Sequence, residues 1–492
     1  MSPAATKRIA YFLIGASVAF SVFLIRNAVV SRKSSPPNIL LISIDDLNDW
    51  VGCLGGHPQA RTPNLDRFAS QGTLFTNAHC QSPVCQPSRA SLMTSSYPSS
   101  TGLYFLNPGI AAAEVLAGVE TIPERFAREG YKVMAAGKVF HGQENQHYFS
   151  RTGKYGGTFG AFGPSAPGKI SYPEGHPLWD WGAYPKSDES MPDYKVTQWA
   201  KKQLNQKHDQ PFFLAVGFWR PHVPMLVPQK WFDLHPQDRV TLPEVQDDDL
   251  GDVSRYAQDL IQLKHVSPAH EWVVSHGQWW HAVQSYLASV SFVDHYVGEV
   301  LAALEKSPYH DNTIVIIFSD HGFHLGEKAH WAKRTLWEDG TRVPLAITGP
   351  GLPSQQDCER PVGLIDLYPT LLDLCGFDAD PGHEGTTLKP LLLDPEQEWN
   401  RPALTFFGVG NVSVRSTDWR YIRYADGSTE LYDHRTDPHE WHNLAGHAEY
   451  KKIKETHDDW IPKSFHPILG RGSTGHAAYK AAADRAQQKR SR

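Results

Sequence analysis

Apolar residues along this chain fall into short unbroken runs and one long helical stripe. Residues 39–44 form a first run, which ends in Asp45 and Asp46. Residues 313–319 form a second, which ends in Asp320 and His321. A run this apolar fits a strand buried on both faces of a sheet. Residues 131–136, 212–217 and 343–348 read as further strands. Between residues 281 and 306 the spacing becomes helical, with Val283, Tyr286, Leu287, Val290, Val293, Val297, Leu301 and Leu304 on one stripe. Strands alternating with helices predict an α/β fold whose sheet is mostly parallel and flanked by helices. Glycine and proline thicken over residues 152–182, read as a long loop or insertion, and over 381–390, read as a boundary. Beyond that boundary, residues 411–415, 419–424 and 430–432, with a turn at 425–428, predict an antiparallel meander. The expected organisation is a large domain over 37–385, a small C-terminal α+β domain over 386–470, and a frayed or disordered tail over 471–492.

The first 36 residues stand apart. Lys7 and Arg8 precede an uncharged run over residues 9–25, and Arg26, Arg32 and Lys33 follow it. The run matches a short membrane span or a long signal-peptide core. Both readings stay open: a cleaved secretory signal, or an anchor that is the protein's only membrane contact. Either predicts an exported protein, periplasmic, extracellular or anchored facing outward. The net charge of −6 argues against a nucleic-acid binder, which shows a basic excess. With 40% hydrophobic residues the chain can build a true core.

The chemistry gathers at strand ends. Ligands of open parallel sheets bind beyond the carboxyl ends of the strands. Asp45, Asp46, Asp320 and His321 occupy two such ends. Three carboxylates around one point require a cation between them. Hard oxygen donors favour calcium or magnesium over zinc. Between these segments lies Cys85-Gln86-Pro87-Ser88-Arg89, with a proline suited to the first turn of a helix. A nucleophile at a helix N-terminus faces the positive end of the dipole, which suits an anionic substrate.

With Asp45-Asp46 upstream and Asp320-His321 downstream, Cys-x-Pro-Ser-Arg resembles the sulfatase family of the alkaline-phosphatase-like superfamily. The resemblance covers about residues 38–445. It extends through Gly137-Lys138-Val139-Phe140-His141, Pro221-His222-Val223-Pro224 and Trp331-Ala332-Lys333, which are similar to segments of iduronate-2-sulfatase-type enzymes. It implies that Cys85 is converted to formylglycine by a separate formylglycine-generating or sulfatase-maturing enzyme. It also implies a calcium ion held by Asp45, Asp46, Asp320, His321 and modified Cys85. Arg89 then holds the modified residue, and Lys138 and Lys333 contact sulfate oxygens. His141 handles a proton of the hydrated aldehyde, and His222 assists the leaving sugar oxygen. The implied activity is hydrolysis of sulfate esters on a polysaccharide or oligosaccharide, with a 2-O-sulfated uronic acid as the expected unit.

Two departures from the family pattern stand out. The motif continues Leu92-Met93-Thr94-Ser95-Ser96 where many sulfatases read Leu-x-Thr-Gly-Arg, and Arg220 replaces a lysine before Pro221-His222. Cys53, Cys80, Cys358 and Cys375 admit three pairings, Cys358 with Cys375 among them, or free thiols. Two other functions share the same motifs: hydrolysis of phosphonate monoesters or phosphodiesters, and non-catalytic binding of sulfated glycans with an unmodified Cys85.

Overall fold

The structure is a computed structural model, and it describes residues 36–142, 147–153, 178–261, 266–470 and 479–480. The apolar run at 9–25, most of the loop at 152–182, and nearly all of the tail from 471 lie outside the described residues.

The main sheet has eight strands: β1 Asn38–Ile44, β2 Thr73–Phe75, β3 Lys132–Gly137, β4 Arg151–Thr152, β5 Phe212–Phe218, β6 Thr313–Ser319, β7 Leu345–Thr348 and β8 Gln356–Cys358. Their spatial order is β8-β2-β7-β6-β1-β5-β3-β4. The pairings β6–β1, β1–β5, β5–β3 and β3–β4 are parallel, as the alternation of strands and helices predicts. The run at 343–348 becomes β7, which is antiparallel to both β6 and β2.

The reason for the unbroken runs is visible in β1. Leu40, Ile42 and Ile44 face one core, together with Tyr286, Val290, Val293 and Val297. Ile39 and Leu41 face a second core on the opposite side, with Leu92, Phe126 and Leu371. Side chains alternate across a strand, so a strand covered on both faces needs apolar residues at both parities. Helices that pack against this sheet or carry groups to its edge include α1 Cys85–Thr94, α2 Pro192–Leu204, α3 Trp279–Glu305 and α4 Leu367–Cys375. Among the described residues, α3 is the one helix long and apolar enough to cross a membrane, and most of it is buried in the first core.

Near the C-terminus, β9 Ala403–Phe406, β10 Val412–Arg415, β11 Trp419–Arg423 and β12 Thr429–Asp433 form the antiparallel meander. Its core takes Val412, Val414 and Ile422 from the meander itself. It also takes Val84, Leu336 and Trp337 from the earlier part of the chain. Those residues adjoin Cys85 and Lys333, so the small sheet buttresses two segments that carry candidate chemistry. All five cysteines are free thiols, Cys358 and Cys375 included.

Candidate active site

Four neighbouring strands deliver the site. Ile44 of β1 pairs with Ser319 of β6, so Asp45 and Asp320 leave the sheet side by side. The Asp320 amide donates to the Ile44 carbonyl at 3.3 Å, and the Asp45 amide to the Phe218 carbonyl at 3.2 Å. Next to them, β5 runs into Trp219-Arg220-Pro221-His222, and β3 into Lys138. The close approach of β3 and β5 depends on glycine. A Cβ on Gly137 (φ 78°) would overlap the Gly217 carbonyl, and one on Gly217 would overlap the Lys138 backbone. Asp46 adopts a left-handed φ of 63°, an uncommon conformation for a residue with a side chain. It is held by the Tyr286 hydroxyl, which donates to the Asp46 carbonyl at 2.7 Å, and by its own amide, which donates to Asp320 Oδ1 at 3.3 Å.

Helix α1 brings Cys85 to this edge as its first residue, following Val84 in extended conformation. All ten residues of α1 are buried. Cys85 Sγ lies 3.2 Å from His321 Nε2, 3.4 Å from Lys138 Nζ and 3.5 Å from Lys333 Nζ. Burial alone would push this thiol up. Lys138, Lys333 and His321, with a hydrogen bond from His141, outweigh it and hold the thiol well below the usual range. Arg89, one turn on, donates from Nε to Asp320 Oδ2 at 2.9 Å and from Nη1 to the carbonyls of Lys138 and Val139. One guanidinium thereby ties α1 to the ends of β6 and β3. Lys333 arrives from a separate hairpin, His324–Leu325 with Trp331–Ala332.

The charges interlock. Lys138 Nζ rests on Asp45 Oδ2, and Lys333 Nζ on Asp46 Oδ1 at 2.6 Å. Burial opposes the charge on Asp45, but Lys138 leads a set of cations that holds its carboxyl well below the ordinary range. Burial likewise disfavours charge on His321, and Asp320 and Cys85 reverse that and raise it to about 9. Asp45 Oδ1 and Asp46 Oδ2 are buried and accept no hydrogen bond. Arg89 Nη2 lies 3.5 Å from Asp45 Oδ1, and His222 Nε2 lies 3.8 Å from Asp46 Oδ2. Ligand atoms of Asp45, Cys85, Asp320 and His321 all lie within 4.8 Å of one another, as do those of Asp45, Asp46, Cys85 and His222.

All ten residues singled out in the sequence thus meet at one sheet edge. Three supporting residues escaped the sequence reading. Tyr286 read as an apolar position of α3, yet its hydroxyl holds the Asp46 turn. Asp193, near the start of α2, accepts the amides of Trp219 (2.7 Å) and Arg220 (3.2 Å) and so positions the segment carrying His222. Arg334 is buried, and the charges of Cys85 and Asp46 act on it. Its place beside Lys333 was the available signal; for Asp193 there was none.

A basic, cation-ready pocket at the carboxyl edge of such a sheet defines a hydrolase of anionic esters with the alkaline-phosphatase-like fold. The phosphonate monoester hydrolase of Agrobacterium radiobacter superposes with a TM-score of 0.71, covering 86% of this chain and 94% of that one at 22% identity. The family model for sulfatases matches residues 37–377, and that for the C-terminal region of N-sulphoglucosamine sulphohydrolase matches residues 326–463. A sulfatase of Formosa agariphila is 39% identical over 468 residues, 92% of each chain. Iduronate 2-sulfatase of Homo sapiens is 33% identical over 83% of this chain and 90% of its own. The chain belongs to the sulfatase family, and its activity is that of a sulfuric ester hydrolase.

Proposed function

We propose that this enzyme removes sulfate from a sulfated polysaccharide or oligosaccharide, using a formylglycine made from Cys85 and one calcium ion. The expected substrate unit is a 2-O-sulfated uronic acid, a reading supported by the likeness to iduronate 2-sulfatase. The observation that carries the proposal is the place of Cys85: first in a buried helix, with two lysines and a histidine within 3.5 Å of its sulfur.

The donor set fits a hard cation. Asp45, Asp46, Asp320 and His321 are buried together, and two carboxylate oxygens, Asp45 Oδ1 and Asp46 Oδ2, have no hydrogen-bond donor. Buried acceptors left in this state are costly unless a ligand meets them. Asp45, Asp46, Asp320 and His321 would hold the calcium, which would polarise the sulfate, and a hydrated formylglycine at position 85 would supply the nucleophilic hydroxyl.

The protein's own groups do the rest. Lys138 and Lys333 place positive charge where negative charge builds on the sulfate oxygens. Arg89 fixes the first turn of α1 against Asp320 and offsets its charge. His141, whose interaction with Cys85 helps lower the thiol's pKa, would take a proton from the modified side chain. His222 Nδ1 meets the Val223 carbonyl at 2.6 Å. A carbonyl only accepts, so Nδ1 carries hydrogen and Nε2 is the atom that exchanges a proton with the leaving alcohol. Cys85 is about as buried as the core (1% exposed). A maturing enzyme therefore has to reach it before folding is complete. The apolar run at residues 9–25 supports a site of action outside the cytoplasm.

The test is the mass of the peptide carrying Cys85 from the native host. Conversion replaces two hydrogens and a sulfur by one oxygen and lowers the mass by about 18 Da, after which the residue no longer reacts as a thiol. An unmodified thiol in active protein overturns the catalytic reading. Turnover of a phosphodiester with none of any sulfate ester overturns the assigned substrate class.

A further inference from the structure

A second group of metal-ligating side chains lies outside the site just described. His324 opens the hairpin that leads to Lys333, Glu327 sits in its bend, and Asp339 follows Trp337 and Glu338. A nitrogen of His324 and one carboxylate oxygen each of Glu327 and Asp339 lie within 4.8 Å of one another.

The imidazole carries the strongest sign. His324 is fully buried, and its Nε2 meets Thr335 Oγ1 at 2.6 Å. Its Nδ1 has no hydrogen-bond partner and points at Asp339 Oδ2, 3.7 Å away. The Thr335 hydroxyl can accept from Nε2–H, and in that tautomer the Nδ1 lone pair faces a carboxylate. A buried nitrogen acceptor aimed at a partly exposed carboxylate calls for a proton or a cation between them. A metal-bound imidazole ordinarily gives its other nitrogen to just such a fixed partner.

No lysine or arginine of the described residues comes within 4 Å of the Glu327 or Asp339 carboxylates. Arg342 is engaged by Asp49 at 3.0 Å, and Lys328 by Asp249. Burial, reinforced by repulsion from Asp49, pushes Glu327 up to about 7, and Asp339 is also raised, by burial and then by Glu327 and Asp49. Glu327 and Asp339 line a groove of about 630 Å³ that also receives Arg342, Arg415 and His434. The groove supplies an entry path and room for water at an open coordination position. The neighbouring cluster of Glu338, His434 and Glu440 is different, because Arg415 and Arg420 already neutralise it.

We propose that His324, Glu327 and Asp339 bind a second divalent cation, of the zinc class, which clamps the hairpin carrying Lys333 to the segment beginning at Glu338. One imidazole and two carboxylates with an open fourth position are a zinc-type donor set. Three carboxylates beside one imidazole make the first site richer in hard oxygen donors, which selects a different ion.

The experiment uses the full chain, equilibrated with zinc and freed of excess, with metal content read by plasma mass spectrometry. Wild type is expected to hold one zinc per chain. So is Asp45→Asn, which damages the first site, and this separates the two centres. His324→Ala and Asp339→Asn are expected to lower the content at least tenfold. Asp339 is a third exposed, so its amide variant keeps the fold, and circular dichroism checks this. Cobalt substitution gives a second reading: visible ligand-field bands present in wild type and absent in Asp339→Asn. No zinc in wild type shows that a proton fills the gap, and undiminished zinc in both variants places the metal elsewhere. Either result overturns the proposal.

Discussion

Two buried charge clusters in this protein look alike in composition and differ in how completely they are satisfied. At the sheet edge, three aspartates face Lys138, Lys333, Arg89 and His321. Under the small sheet, Glu338 and Glu440 face Arg415, Arg420 and His434. In the second cluster the partners close on one another. Arg420 bonds both glutamates and donates from Nη1 to Leu336 O at 2.9 Å and Ser413 Oγ at 2.6 Å, while Glu440 Oε2 accepts the Glu338 amide at 2.8 Å. In the first, Asp45 Oδ1 and Asp46 Oδ2 accept nothing. Both clusters cost desolvation, but the closed one regains it within the protein, whereas the open one regains it only through a ligand. Unfilled acceptors, more than charge density, separate a working site from a structural one.

The largest test of that distinction is Asp45→Asn. It should lower kcat at least about 10³-fold, because it removes a proposed cation ligand and the partner of Lys138 together. It should also abolish any calcium-dependent rise in Tm while leaving the far-ultraviolet circular dichroism intact. Activity within tenfold of wild type would break the comparison at its first term.

Arg420→Met tests the other cluster. Removing Arg420 from this buried, closed network leaves Glu338 with Arg415 and Glu440 with His434 alone, and should cost about 3–5 kcal/mol of stability. The kcat of the folded enzyme should stay within about twofold, since Arg420 touches none of the catalytic groups. Denaturant titration alongside active-site-normalised kinetics reads both quantities. Lost turnover with unchanged stability would mean that the small sheet participates in catalysis.

His222→Ala falls between the two in character. It should lower kcat about 10²-fold on a sugar sulfate, the size expected for loss of a general acid. On an aryl sulfate with a good leaving group, which needs little protonation, the loss should shrink towards unity. Equal losses on both substrates would make His222 a positioning or cation-binding residue, consistent with its place 3.8 Å from Asp46.

Much of the candidate site was legible because each element announces itself locally. A doubly buried strand has to be apolar throughout, so Asp45 and Asp320 mark where β1 and β6 stop. Parallel register then sets them side by side. The motif around Cys85 is short and contiguous. By contrast, the antiparallel setting of β7 follows from tertiary pairing, and an apolar run carries no strand direction. Tyr286 was hidden by a stripe in which its ring packs like a leucine while its hydroxyl works. The closed cluster was invisible for a related reason. Glu338, Arg415, Arg420 and Glu440 are spread over a hundred residues, at positions that read as ordinary surface charge, and only the fold shows that Arg420 is fully buried.

The smallest effect concerns acid. In the closed cluster, burial opposes ionisation of Glu440, but Arg420 and then His434 reverse this and hold its carboxyl below its ordinary value of 4.5. Glu338 is held lower still, by Arg415, His434 and Arg420 against the same burial. Carboxylates depressed in the folded state contribute stability that is fully present above the unfolded pKa and is lost as pH falls through the folded one. Stability should therefore decline from about pH 4.5 downward, by about 1.4 kcal/mol per pH unit for each glutamate still ionised in the native state. In Arg420→Met the leading cation on Glu440 is gone, so its pKa returns towards the ordinary value and the slope should flatten. Urea titrations of both proteins between pH 3 and 6 read the difference, which cancels the acids that the two share. A parallel pair of curves would show that the cluster's charges are not what holds it closed.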